Sequence, residues 1–141
     1  MAVADEAMEI LSRTPMFSGL PKRSLRNLAA MARVVDHEAG HTIAREGSGA
    51  HALHVIAEGE IGVVVGGSEV ERRGPGATVG EIALLDGGMR TATISTVSPA
   101  KVVAITGTEF ISALREDPEL AHRLLVHLAG MIRATNSRLA C

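Results

Sequence analysis

The spacing of apolar residues changes twice along the chain, from helical to strand-like and back to helical. Within residues 1–33, apolar side chains recur every three or four positions in two short stretches, residues 5–13 and the segment after Pro21. This period predicts two N-terminal helices. Pro21 suits the first position of the second helix, because a proline there gives up no helical hydrogen bond.

Residues 34–106 have a different pattern, with short stretches rich in valine, isoleucine and threonine that are separated by glycines. Such stretches are typical of β-strands. Residues 61–65 and 70–73 flank a Gly-Gly-Ser turn at 66–68, which predicts a hairpin because glycine accepts the positive φ of tight turns. The predicted fold is mainly β with flanking helices: a jelly-roll β-barrel with N-terminal helices and a long C-terminal helix.

The helical period returns over residues 108–141. Thr108 is predicted to cap one helix, and Asp117-Pro118 to begin a longer one that reaches about residue 139. Apolar or small residues fall along the long helix at alternating steps of four and three: Ala121, Leu125, Leu128, Ile132, Thr135 and Leu139. This is the spacing of one seam of a coiled coil, so we expect a homodimer through this helix. The alternative is that the stripe packs on its own barrel.

Length and composition narrow the class of protein. The 141 residues suit a single domain, residues 1–141, and the core must be aliphatic because the chain has two phenylalanines and no tryptophan or tyrosine. No apolar run is long enough to span a membrane, and the acidic start lacks the positive charge of a secretory signal. We therefore expect a cytoplasmic protein that does not enter the membrane.

Charge narrows the class of ligand. The net charge is −2 and the basic residues are scattered, so we expect no direct nucleic acid binding by this chain. An anionic ligand would have to be held by a local group of donors. The order of the histidines does not match the closely spaced His-x-His, Glu and distant His of a cupin metal site, so no metal is expected. No nucleophile, base and orienting group suggests an enzyme.

The candidate site lies in residues 80–94. Gly80 precedes a predicted helical turn, and a glycine there lets a ligand approach the free N–H groups, which attract anions. After a Gly-Gly reversal, Arg90 can return to the same turn and offer a planar fork of donors to a phosphate. Glu81 beside a phosphate calls for a hydroxyl partner. The segment therefore predicts a site for a sugar phosphate.

The same segment, Gly-Glu-Ile-Ala-Leu-Leu at 80–85 followed by Arg-Thr-Ala-Thr-Ile at 90–94, resembles the phosphate-binding cassette of cyclic-nucleotide-binding domains. Residues 39–47 and 54–60 resemble the early strands and turns of that family. The resemblance implies that Arg90 binds the cyclic phosphate and Glu81 accepts the ribose 2′-hydroxyl. It also implies that backbone N–H groups around four residues complete the cradle: Ile82, Ala83, Thr91 and Ala92.

The C-terminal part is similar to the long helix of catabolite-activator-type bacterial regulators, and this similarity implies that Thr135 and Asn136 contact the base. Cyclic AMP is the expected ligand. Cyclic GMP stays open, because a hydroxyl after the arginine, as in Thr91, favours guanine in some eukaryotic members. Only two residues follow Leu139, too few for the winged helix-turn-helix of those regulators, so we expect that the chain as given does not bind DNA that way.

These features together predict a regulatory module without catalysis, which senses cyclic AMP and repositions its C-terminal helix on binding. One alternative is a protein-interaction scaffold of the same fold with no ligand or a different one. The other is the sensor fragment of a longer transcription regulator.

Three residues depart from the family pattern. Val79 replaces a usual aromatic residue, Ser48 a common aspartate and Met89 a frequent proline.

Overall fold

The computed structural model describes residues 3–49 and 51–140. In this part of the chain two helices precede eight strands, and three further helices follow or interrupt the strands. The helices are α1 (Val3–Arg13), α2 (Lys22–Met31), α3 (Glu81–Asp86), α4 (Gly107–Glu116) and α5 (Pro118–Ala140). The strands are β1 (Arg33–His37), β2 (Thr42–Ala44), β3 (Ala52–Glu58), β4 (Ile61–Val65), β5 (Ser68–Arg73), β6 (Thr78–Val79), β7 (Thr93–Thr96) and β8 (Ala100–Thr106).

The strands form two antiparallel sheets with the orders β1-β8-β3-β6 and β2-β7-β4-β5. The predicted hairpin joins β4 to β5, and Gly66 and Gly67 in its turn have φ values of 57° and 84°. Non-glycine residues would be strained in that left-handed region. The prediction of a mainly β jelly roll with flanking helices is confirmed.

Two clusters of buried side chains hold the fold together. The larger cluster lies where the N-terminal and C-terminal helices cover the sheet that contains β3 and β8, and it includes both phenylalanines, Phe17 and Phe110, at 0% exposure. The smaller one is aliphatic and includes Ile61 of β4, Ile94 of β7 and Val102 of β8. Residues from both sheets therefore meet in the smaller cluster, which lies between the two layers.

Two predicted helix starts shift by one or two residues. Pro21 is the N-cap of α2 and not its first residue. The prediction that Thr108 caps α4 is wrong, because Thr106 is the cap: its hydroxyl accepts from the Glu109 N–H at 3.3 Å and donates to the Glu109 carboxylate at 2.9 Å. The Thr-x-x-Glu spacing of a capping box was present in the sequence at 106–109. Asp117 caps α5 as predicted, since its Oδ1 accepts the N–H groups at the helix start.

The long helix α5 packs on the core only along its first half. Leu120 and Leu124 are buried, and Leu128 is partly buried against the same cluster. Leu128 belongs to the predicted seam, but other seam residues point away from the core, with Leu125 65% exposed and Ile132 62% exposed. The stripe as a whole therefore does not pack on its own barrel. No helix within residues 3–49 and 51–140 combines the length and hydropathy needed to cross a bilayer.

Candidate functional site

A cavity of about 180 Å³ opens between α3, the segment before β7, and the strands β4 and β5. Its wall contains seven of the nine residues that the sequence predicted for the site: Gly80, Glu81, Ile82, Ala83, Arg90, Thr91 and Ala92. From α5 the wall receives Met131. The fold thus brings the two halves of the predicted cassette, 80–85 and 90–94, to one place.

Gly80 lies close against the start of strand β3. Its φ is +102°, and a Cβ at this position would lie 2.7 Å from the Ala52 carbonyl oxygen and 2.8 Å from Arg90 Nη1. The Ala52 oxygen belongs to the backbone and cannot move aside for a carbon atom, so backbone conformation and space both require glycine. As the N-cap of α3, Gly80 offers no side-chain acceptor to the first N–H groups of the helix. These donors remain for other partners.

Arg90 returns to this turn after the chain reverses at Gly87, which has a φ of 71°. Its side chain is 8% exposed, and Nη2 donates to the Ala52 carbonyl oxygen at 3.1 Å. Nη1 is buried and has no hydrogen-bond partner among the described residues. Burial lowers the pKa of Arg90, the Glu81 carboxylate opposes this effect, and the guanidinium stays charged. The cavity therefore contains a buried cation with a free donor.

Glu81 is 4% exposed and supplies the complementary acceptor. Oε1 lies 4.0 Å from Nε2 of His127, which is an ion-pair distance when the histidine is protonated. Oε2 is buried without a partner in the described part of the chain, and Glu81 makes no direct ion pair with Arg90 there. An unpartnered carboxylate oxygen beside a cation with a free donor fits a ligand with both a hydroxyl and an anionic group.

Comparison with known proteins agrees with this geometry. The family model of the cyclic nucleotide-binding domain matches residues 34–117. The chain belongs to that family. A CRP-like cAMP-activated global transcriptional regulator of Mycobacterium tuberculosis is 30% identical over 139 residues, a match that covers 94% of this chain and 61% of the regulator. The chain thus spans about three fifths of the length of that relative.

Two solved structures place the cyclic nucleotide-binding domain among regulatory proteins. The catabolite activator protein of Thermus thermophilus is similar with a TM-score of 0.79 and 26% identity, covering 90% of this chain and 62% of that one. The regulatory domain of Toxoplasma gondii PKA in complex with cAMP is similar with a TM-score of 0.69 and 26% identity. The match covers 78% of this chain and 44% of that one. This chain therefore shares its fold and family with the cyclic nucleotide-binding domains of these regulatory proteins.

Several residues of the domain's cavity were missed by sequence reasoning. Arg73 and Glu71 line it from β5, and Arg73 Nη1 donates to the Thr78 carbonyl oxygen at 3.1 Å. The spacing of two along a strand does place Glu71 and Arg73 on one face. No motif marked His127, which lies 46 residues after Glu81 in the sequence. Its approach to the cassette depends on how α5 packs.

The two predicted base-contact residues lie outside the cavity. Thr135 is exposed, and its Oγ1 accepts from Arg138 Nη2 at 3.4 Å. Asn136 is exposed in a separate shallow depression that it shares with Ile132. The structure therefore assembles seven of the nine predicted residues and does not bring the other two to them. Base contact by Thr135 and Asn136 stays a prediction.

His54 of β3 is a partly buried group whose pKa is affected by the charge of Arg90. Its Nδ1 is buried without a partner among the described residues. Burial, followed by the charges of Arg90 and His37, lowers the pKa of His54 to about 4. His54 is therefore neutral at pH 7, where a second cation beside Arg90 would be costly.

Acid should destabilise the domain through His54. The pKa of His54 is about 4 in the folded state and about 6.5 when unfolded, so the unfolded chain binds the proton more tightly. The free energy of unfolding then falls as the pH drops from about 6.5 towards 4. In urea unfolding at pH 7 and pH 4.5, His54→Gln should lose about 2 kcal/mol less than the parent protein. The exposed His122→Gln serves as control and should lose as much as the parent; equal losses in all three proteins would contradict the prediction.

Proposed function

We propose that this domain binds cyclic AMP in the cavity and acts as a regulatory sensor. The observation that carries the proposal is the pair of unpartnered buried atoms in its wall, Nη1 of Arg90 and Oε2 of Glu81. In this proposal Arg90 binds the cyclic phosphate and Glu81 accepts the ribose 2′-hydroxyl. Backbone N–H groups around Ile82, Ala83, Thr91 and Ala92 complete the phosphate cradle beside Gly80.

A purely structural role explains this pair poorly. An exposed ion pair contributes about 0–1 kcal/mol, and here the two side chains are buried and do not pair directly. Burying a charged group without its full set of partners costs several kcal/mol. A ligand that brings an anion to Arg90 and a hydroxyl to Glu81 would offset this cost in one binding event. The arrangement is therefore favourable mainly when the cavity is occupied.

Cyclic AMP is the nucleotide named for two of the similar proteins. The Mycobacterium tuberculosis relative is named as cAMP-activated, and the Toxoplasma gondii structure is a complex with cAMP. Thr91 lies in the cavity wall with an exposed side chain, so cyclic GMP is the nucleotide to compare. One or two hydrogen bonds to the base, at about 1 kcal/mol each, are enough for a tenfold preference.

Contacts with the base are the proposed means by which ligand binding moves α5. The cavity is smaller than the roughly 300–1,000 Å³ of sites that enclose a drug-sized ligand, so part of the nucleotide must project beyond it. We place the base towards α5, with Thr135 and Asn136 as its contacts once the helix moves over the pocket. Ligand binding then selects one position of α5.

In this proposal the domain performs no catalysis, contacts no nucleic acid itself and works in the cytoplasm.

A second copy of the chain is the partner that α5 fits. Beyond Met131 every side chain described on the helix is exposed, including Ile132 and Leu139 at 62% and 80%. With Leu125 these residues form an apolar stripe at coiled-coil spacing. Pairing two such helices would cover the stripe. We therefore propose a homodimer through α5.

Arg90→Ala should lose cyclic AMP binding. Removing the guanidinium leaves the phosphate charge uncompensated, at a cost of about 2–5 kcal/mol or at least about 30-fold in affinity. Isothermal titration calorimetry with cyclic AMP and cyclic GMP measures this. The matched control is Arg72→Ala, which removes an exposed β5 arginine that pairs with Glu69 at 3.2 Å. Unchanged affinity in Arg90→Ala would refute the site, and a parent protein that binds neither nucleotide would favour the scaffold function.

Ile132→Asp should prevent self-association. A carboxylate in the middle of the stripe would have to be desolvated in the paired helices, which is costly for an unpaired charge. Analytical ultracentrifugation should show a dimer for the parent protein and a monomer for the variant. Ala134→Asp adds the same charge to an exposed position about 200° around the helix from Ile132 and should remain a dimer. A monomeric parent protein would overturn the proposed dimer.

A further inference from the structure

His127 connects the C-terminal helix to the cassette. Its Nε2 lies 4.0 Å from Glu81 Oε1 and 3.4 Å from the Thr78 hydroxyl. Within residues 3–49 and 51–140, these are the polar side-chain contacts that join α5 to the segment around α3. His127 lies one turn before Met131, which reaches the cavity itself. The helix therefore meets the ligand site through one polar and one apolar residue.

The two oxygens of Glu81 have different surroundings. Oε1 faces His127, while Oε2 is buried and has no partner among the described residues. A carboxylate can accept hydrogen bonds on both oxygens at once. A ribose hydroxyl on Oε2 would therefore leave Oε1 free for the histidine. The helix and the ligand do not compete for the same acceptor.

The other groups near His127 leave Glu81 as its acidic neighbour. Thr78 is a neutral hydroxyl on β6, and its carbonyl oxygen accepts from Arg73 at 3.1 Å. On α5 itself, Arg123 precedes His127 by one turn and donates to the Pro15 carbonyl oxygen at 3.0 Å, towards the loop after α1. In the described part of the chain, Glu81 is the carboxylate within ion-pair distance of His127.

We propose that His127 is a positioning residue: it orients the Glu81 carboxylate for the ribose 2′-hydroxyl and couples ribose binding to α5. The inference rests on the proposed function and adds the residue that links ligand binding to the C-terminal helix. When the hydroxyl donates to Oε2, the carboxylate is fixed, and the Nε2–H of His127 donates to Oε1. A ligand with a 2′-hydroxyl thus holds α5 against the cassette, and a ligand without it does not.

A cycle of two ligands and two proteins tests this coupling. Cyclic AMP and 2′-deoxy cyclic AMP are titrated into the parent protein and into His127→Leu, which keeps an apolar side chain and removes the donor. The parent protein should prefer cyclic AMP about tenfold, as one net hydrogen bond allows. His127→Leu should lose about tenfold for cyclic AMP and less than twofold for the deoxy ligand. The preference for the hydroxyl then disappears.

Two further variants separate positioning from packing. His127→Gln keeps an N–H donor near the place of Nε2 and should retain most of the preference for cyclic AMP. His122→Gln changes an exposed histidine of the same helix and should behave as the parent protein. An equal loss for both ligands in His127→Leu would mean that the residue only packs, and no loss for either would mean that it does not contribute. Both results overturn the proposal.

Hydrogen exchange provides the readout on the helix. In the parent protein, cyclic AMP should protect residues 118–139 more than 2′-deoxy cyclic AMP does at equal saturation. In His127→Leu the two ligands should give equal protection. Equal protection in the parent protein would overturn the coupling while leaving the binding function intact. A parent protein that binds neither ligand would overturn both the binding function and the coupling. Arg90→Ala tests the binding function alone, so it distinguishes a failure of binding from a failure of coupling.

Discussion

The buried charge of Arg90 is the constraint around which the site is organised. Its guanidinium is 8% exposed, and the hydrogen bond that it donates to Ala52 ties the segment before β7 to the start of β3. These two strands belong to different sheets. The guanidinium and the Ala52 carbonyl oxygen together leave no room for a side chain at position 80, and the charge of Arg90 helps keep His54 neutral. Removing Arg90 would therefore relax several neighbours, in addition to removing the proposed phosphate contact.

A charge held in this way is preorganised for an anionic ligand. The guanidinium is already desolvated and already fixed by one hydrogen bond, so little ordering remains when an anion arrives. On the helix side, Oε1 of Glu81 lies 4.0 Å from Nε2 of His127, the contact that we propose to orient the carboxylate. The two side chains that we propose to bind the ligand thus contact different parts of the fold, β3 for the cation and α5 for the carboxylate. Occupancy can affect those parts separately.

The sequence predicted those features that depend on neighbours in the chain. The β4–β5 hairpin, the turn at Gly80 and the cassette follow from strand period, glycine position and a contiguous motif. The cap at Thr106 was also readable from its spacing to Glu109, and was missed. The approach of His127 to Glu81 was not readable, because it depends on the direction in which α5 leaves the barrel. The same dependence explains why Thr135, though on the predicted helix, does not lie at the cavity.

The free half of α5 has a mechanical consequence. From His127 to Leu139 the helix rises about 18 Å at 1.5 Å per residue, and its side chains after Met131 are exposed. A stiff rod held near one end acts as a lever. A tilt of about 10° at His127 would displace the far end by about 3 Å, with no change inside the helix. A small adjustment at the Glu81 carboxylate would thus become a larger displacement at whatever the tip of the helix contacts.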